Sequence, residues 1–161
     1  MQAVNNVHDV AVESQAASVC RAGKYLAFRL SNEEYGLEIL KVREIIGLMG
    51  ITKVPRTPHH IRGVINLRGK VIPVVNLRKK FSFEDKPTDD TSRIIIMEIN
   101  GITNGLIVDS VSEVLRVPSS IIEPSPPMSS DLSSNFIKGI AKLEERLIVL
   151  LDIDRLIGIG E

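Results

Sequence analysis

The chain repeats itself, and the repeat narrows the folds open to it. Displaced by 69 residues, Tyr35–Ile46 (YGLEILKVREII) falls on Asn104–Leu115 (NGLIVDSVSEVL) without a gap. Gly36 meets Gly105, Leu37 meets Leu106, Val42 meets Val111 and Glu44 meets Glu113. The same offset sets Pro55 on Pro124 and Pro58 on Pro127. The offset then becomes 76, so that Arg62–Arg78 falls on Lys138–Asp154, with Gly63 on Gly139, Leu67 on Leu143 and Ile72 on Ile148. The seven additional residues fit within the Pro- and Ser-rich stretch Glu123–Asn135. Chance accounts for shared aliphatic alternation between β-rich segments. It accounts poorly for glycines and a glutamate held at fixed spacing over two blocks, so the pattern predicts an internal duplication.

Each copy reads as short strands joined by tight turns. Tyr25–Leu30 is a β run that ends in Ser31-Asn32-Glu33-Glu34 and resumes at Tyr35–Ile39. Val64–Leu67 and Val71–Val75 flank Arg68-Gly69-Lys70, and Arg93–Ile99 and Ile102–Val108 flank Asn100-Gly101, both hairpin signatures. Leu143–Ile157 has helical amphipathicity, yet Glu144-Glu145 between Ile140–Leu143 and Leu147–Leu151 suits a hairpin better, leaving Asp152–Ile157 as a short closing helix. Pro73 lies inside a strand, which predicts an edge strand or a bulge there. Glu84–Thr91 and Glu123–Asn135 read as exposed loops, and residues 1–22 as a mobile tail. About five short strands per copy, with no crossover helix, imply two small antiparallel barrels packed together. The expected organisation is a tail over 1–23 and one domain over 24–161, with a first half at about 24–83 and a second at about 92–158.

Composition supports strands and removes several functions. The 21 Ile and 16 Val together outnumber the 15 Leu by more than two to one, and β-branched side chains favour strands. With 20 Lys+Arg against 20 Asp+Glu, the chain lacks the basic excess that nucleic-acid binding requires. Cys20 is the only cysteine, which excludes an internal disulfide and a Cys-cluster zinc site. No Lys or Arg occurs in residues 1–20, and the longest aliphatic run is Leu147–Leu151. A secretory signal and a membrane span are therefore not expected, and a cytoplasmic location is.

A catalytic site is not expected either. The chain has no G-x-G-x-x-G, Walker loop, H-E-x-x-H or nucleophile elbow. His59 and His60 are adjacent, so on a strand they point to opposite faces and chelate poorly, while His8 and Cys20 lie in the tail. Glu33-Glu34, Asp89-Asp90 and Glu144-Glu145 read as solvated turn carboxylates, and Asp152 and Asp154 as helix-initiating ones. No cofactor or metal is implied. Arg68 stands out, because its tight turn projects a guanidinium from a rigid base. It reads either as an ordinary polar turn residue or as an anchor presented to a protein partner. An enzyme or small-ligand module would need a pocket with convergent polar groups, whereas an adaptor would need exposed aliphatic patches and strand edges.

Several segments, in their order along the chain, resemble the CheW family. They are Glu34-Tyr35-Gly36-Leu37, Ile39-Leu40-Lys41-Val42-Arg43-Glu44-Ile45, Val54-Pro55, Gly63-Val64-Ile65-Asn66-Leu67-Arg68-Gly69, Val71-Ile72-Pro73-Val74-Val75-Asn76-Leu77-Arg78, Gly105–Val111 and Leu150-Leu151-Asp152. The resemblance spans roughly residues 24–157. It implies an all-β fold of two packed, SH3-like, five-stranded barrels with short helices. It further implies a non-enzymatic cytoplasmic adaptor of bacterial chemotaxis, recruited to membrane-bound receptor arrays without inserting into the bilayer. The implied partners are the cytoplasmic tip of a chemoreceptor (a methyl-accepting chemotaxis protein) and the regulatory domain of the histidine kinase CheA. Carried over by position, the receptor groove involves Leu26, Ile39, Val42, Glu44, Arg68 and Val111, and no residue is assigned to the kinase.

Overall fold

The structure is a computed structural model that describes residues 23–81, 83–84, 86–124 and 136–158. The expected tail, with His8 and Cys20, and most of the Pro- and Ser-rich loop lie outside the described residues. Eleven strands run in chain order: β1 (Gly23–Leu30), β2 (Glu33–Glu38), β3 (Val42–Gly47), β4 (Ile61–Leu67), β5 (Lys70–Asn76), β6 (Arg93–Ile99), β7 (Ile102–Val108), β8 (Ser110–Val117), β9 (Ile122–Glu123), β10 (Ile137–Leu143) and β11 (Arg146–Leu151). Two 3₁₀ turns, η1 (Ile39–Lys41) and η2 (Ser119–Ile121), and two short helices, α1 (Leu77–Lys80) and α2 (Ile153–Gly158), complete the described elements. The hairpin over Leu143 and the closing helix are as the sequence predicts. Helix α1 begins where the Asn76 side chain accepts hydrogen bonds from the amides of Arg78 (3.0 Å) and Lys79 (3.4 Å).

The strands form two sheets, one ordered β8-β1-β2-β11-β10-β9 and the other β3-β6-β7-β5-β4. Each sheet rolls into a barrel. Val117 on β8 and Ile122 on β9, at opposite ends of the six-stranded order, share one buried cluster with Tyr25, Ala141, Ile148 and Leu150. The five-stranded sheet does the same around Ile65, Ile72, Val74, Ile94, Ile96 and Ile107. A third and larger cluster joins the barrels, with Leu26, Phe28, Leu30 and Leu37 from one sheet meeting Val75, Ile95, Met97 and Leu106 from the other. Each fully buried aliphatic side chain contributes roughly 1.5–3 kcal/mol, so this shared core makes the pair of barrels one cooperative body.

The duplication is visible residue by residue in the pairing. Val42 pairs with Met97 and Glu44 with Ile96, and 69 residues away Val111 pairs with Phe28 and Glu113 with Ala27, with the same register shift after the first pair. The parallel contacts match as well, Val74 on Gly105 and Leu150 on Gly36. Both glycines sit in tight surroundings, since an added Cβ would stand 3.0 Å from Ile94 Cγ2 on β6 at Gly105 and 3.0 Å from Leu150 Cδ2 on β11 at Gly36, and those side chains would have to give way.

Three details differ from the sequence reading. Sheet membership cuts across the halves 24–83 and 92–158: β1 and β2 join β8–β11, while β3–β5 join β6 and β7. Each barrel thus takes two strands from one copy and the remainder from the other, and the chain crosses between barrels at η1 and again at Asp109. The proline match fails by two residues. Thr52 bridges Val64 as Glu123 pairs with Ile140, so the local offset is 71 rather than 69, and Pro55 is not the equivalent of Pro124. Finally, Pro73 sits in β5, an interior strand between β7 and β4. It is accommodated because Val64, its partner on β4, directs its amide and carbonyl away to Thr52, both at 2.9 Å, so Pro73 owes β4 no donor. On the other side, the ladder to β7 begins only at Val74.

Candidate protein-interaction site

Three of the expected groove residues, Ile39, Val42 and Val111, lie beside the points where the chain passes between barrels. Ile39 begins η1 at the first crossing, Val42 opens β3 beyond it, and Val111 is the second residue of β8 beyond the second crossing. All three are half-buried and pack on the shared core, Val42 beside Met97 and Val111 beside Phe28. Because Val42 and Val111 are equivalent positions, the pseudo-twofold sets one on each barrel against the same core. Leu26 is different. At 2% exposed it belongs to that core, pairing with Leu37 and Val114 on its two sides. Leu40, the residue at the apex of η1, is 94% exposed. Sequence reasoning did not single it out, because the crossing that exposes it is not legible in the sequence.

Glu44 and Arg68 form a unit at the edge of this region, the Arg68 guanidinium donating to the Glu44 carboxylate. The pair is solvent-screened, with the Arg68 side chain 71% exposed, so it stabilises the fold by at most about 1 kcal/mol. The turn beneath it is unusual. Arg68 adopts φ 53° and Gly69 φ 85°, and the Gly69 amide donates to Asn66 Oδ1 at 2.9 Å. Left-handed backbone at a non-glycine residue is disfavoured, whereas the matching turn of the β6–β7 hairpin places Asn100 and Gly101 there.

Stronger ion pairs lie elsewhere, among them Lys138 with Glu38 and two arginine forks. Arg146 forks onto Glu34 at 2.9 and 2.8 Å and reaches Glu113 at 3.0 Å; its hydrogen bonds hold the Glu34 carboxyl below the usual carboxylate range. Arg78 forks onto Asp109 at 3.1 and 2.6 Å. Burial alone would raise the Asp109 carboxyl, but hydrogen bonds from Arg78 and the Ser31 amide outweigh it and hold it below its usual range. Spacing along the chain announces neither fork, since the partners lie 112 and 31 residues apart.

Among the described residues, no group of three or more His, Cys, Asp or Glu could hold a metal ion. No helix among the described residues is long and apolar enough to cross a membrane. Exposed aliphatic surface is plentiful. Ile45, Leu48, Met49 and Val54 stand near the edge strand β3, and Val71 and Ile102 open the neighbouring strands β5 and β7. Leu147 stands exposed on β11 of the other barrel.

Comparison with known proteins decides the family. A family model described as the CheW-like domain matches residues 24–160. The chain belongs to the CheW family. It is 36% identical to the chemotaxis protein CheW of Klebsiella aerogenes over 152 residues, covering 94% of this chain and 92% of that one. It is 40% identical to a probable chemotaxis protein CheW of Rhizobium etli over 133 residues, covering 81% and 84%. The crystal structure of the scaffolding protein TtCheW from Thermoanaerobacter tengcongensis superposes with a TM-score of 0.77 at 43% identity, covering 84% of this chain and 92% of that one. Membership in the CheW family makes this chain a non-enzymatic adaptor of chemotaxis signalling, as the resemblance implied.

Proposed function

We propose that this CheW-family adaptor couples a chemoreceptor's cytoplasmic helical tip to the regulatory domain of the histidine kinase CheA, working in the cytoplasm at membrane-bound receptor arrays. The observation that carries the receptor half is the trio Ile39, Val42 and Val111, half-buried on both barrels over one shared core. An amphipathic helix laid along the barrel junction would cover these aliphatic side chains and leave its polar face in water. Leu26 acts beneath the groove by holding β1 in place. Glu44 and Arg68 act at its edge, where a forked guanidinium can exchange its carboxylate for a partner's carboxylate or carbonyl. The exposed aliphatic ends at Val71, Ile102 and Leu147 remain available to the kinase.

Reconstitution tests this reading. The chain, a chemoreceptor cytoplasmic fragment and CheA are combined and kinase autophosphorylation is measured. Receptor-dependent activation that requires the chain is expected; equal activity with and without it would overturn the proposal.

A further inference from the structure

The chain crosses between barrels twice, and each crossing is tied to the short helix of the opposite repeat copy. At the second crossing Asp109, between β7 and β8, takes the fork of Arg78 from α1. At the first, Lys41 of η1 donates to Asp154 of α2 at 2.9 Å. By the offset of 76 residues Arg78 and Asp154 are equivalent positions, while at the crossings the offset of 69 sets Asp109 on Leu40 and Ser110 on Lys41, so the two ties match at the helix and differ by one residue, and in sign, at the crossing. They differ in burial. The side chains of Arg78 and Asp109 are 10% and 20% exposed, and those of Lys41 and Asp154 are 30% and 48% exposed.

The buried tie reaches both barrels at once. Asp109 Oδ2 accepts from Arg78 Nη2 at 2.6 Å and from the Ser31 amide, in the β1–β2 turn of the other barrel, at 2.8 Å. The Asp109 amide donates to the Arg29 carbonyl at 3.0 Å, and its carbonyl accepts from the Thr91 hydroxyl at 3.0 Å. Arg78 Nη1 donates in turn to the Glu84 carbonyl at 2.7 Å. One carboxylate therefore joins α1 of the five-stranded barrel to the β1–β2 hairpin of the six-stranded one. Two residues further on, Val111 enters the groove.

The geometry points to Arg78 and Asp109 as positioning residues of the groove: their buried fork sets how the two barrels stand to each other, and so fixes Val111 against Val42. Neither residue touches the docked helix; both act through Val111. Apolar packing alone resists separation of the barrels but is non-directional, whereas a forked charge-assisted pair sharing an oxygen with a backbone amide fixes an angle. The exposed Lys41–Asp154 tie is screened by water and holds its crossing less firmly.

The binding arm of the test rests on the proposed receptor groove, so the deciding arm uses no partner. Nitroxides are placed at exposed positions 43 on β3 and 112 on β8, through Arg43→Cys and Ser112→Cys with Cys20→Ser, and their separation is measured by pulsed electron resonance. The parent is expected to give one narrow distance distribution. Asp109→Asn keeps the side chain's shape but ends the fork, and Arg78→Lys keeps the charge but allows only a point contact. Both are expected to broaden or displace the distribution, Arg78→Lys less than Asp109→Asn, and to weaken binding to a receptor cytoplasmic fragment by about ten-fold. If Asp109→Asn does not fold, Arg78→Lys decides alone. A distribution as narrow and centred as the parent's in every folded variant, with only the melting temperature lowered, makes the pair merely structural and overturns the inference. Failure of the parent itself to bind the receptor fragment would count against the groove reading, while the distance measurement would still decide this one.

Discussion

Arg68 offers a perturbation whose effect on folding is small and whose effect on signalling is large. Its exposed ion pair with Glu44 contributes about 0.5 kcal/mol, within the range of surface pairs. Its left-handed backbone, φ 53°, costs about 1 kcal/mol relative to glycine. Arg68→Gly loses the first and relieves the second, so its stability should match the parent's or exceed it by about 0.5 kcal/mol. Arg68→Ala loses the ion pair and keeps the strained backbone, so it should fall by about 0.5 kcal/mol. For a chain of this size these changes move the melting temperature by roughly 1–2 °C in either direction. The Asn66–Gly69 hydrogen bond is untouched in both. If Arg68 anchors a partner, each variant should lose about 2 kcal/mol of coupling, about thirty-fold in the apparent affinity of the receptor–adaptor–kinase assembly. Urea unfolding and reconstituted kinase output measure the two effects separately. Loss of more than about 2 kcal/mol of stability in Arg68→Gly would refute the backbone reasoning, because the turn would then depend on the side chain. Full kinase output from both variants would return Arg68 to an ordinary polar turn.

Further expectations concern the groove, the repeat and pH. Val42→Asp should fold yet lose the receptor fragment in a pull-down, because docking would bury an unpaired carboxylate at a cost of several kcal/mol; retained binding would exclude Val42 from the contact. Gly63→Ala should be the more damaging of two equivalent substitutions, since its Cβ would stand 2.3 Å from the Thr52 carbonyl at φ 150°, against 2.9 Å from Ile122 Cγ2 and 3.1 Å from the Glu123 carbonyl at Gly139. Equal melting temperatures for Gly63→Ala and Gly139→Ala would contradict that geometry. The depressed carboxyls of Glu34 and Asp109 contribute stability that is present above their unfolded values, near pH 4, and lost as pH falls through their lower native ones. Acid unfolding curves should therefore flatten in Asp109→Asn between pH 4 and pH 2, roughly, relative to the parent, and an unchanged slope would mean the pair is not formed in solution.

Much of the fold is legible in the sequence because the signals are local. Hairpins announce themselves through Arg68-Gly69 and Asn100-Gly101, and the repeat through Gly36 and Gly105, where a Cβ would press on the side chains of neighbouring strands. Exchange of strands between copies is not legible, because a β1–β2 hairpin has the same pattern whichever sheet receives it. Pro73 misleads for a related reason: its strand is interior, and only the bridge from Thr52 to Val64 shows why no donor is missed. In the site, Val42 and Val111 were recoverable as repeat equivalents. Leu26 could not be separated from them, since β1 is apolar on both faces and alternation cannot say which residue is floor and which is wall. The Arg78–Asp109 fork was hidden, being set by where the chain crosses between barrels.

The central claim is that a chemoreceptor helix docks across the barrel junction, and methyl-resolved NMR tests it most directly. Ile, Leu and Val methyl spectra of the chain are recorded while a chemoreceptor cytoplasmic fragment is added. The account predicts shifts at Ile39, Val42 and Val111, with Ile65 and Ile72 inside the five-stranded barrel unmoved. Saturable binding that shifts Val71, Ile102 or Leu147 and leaves Ile39, Val42 and Val111 in place would contradict it.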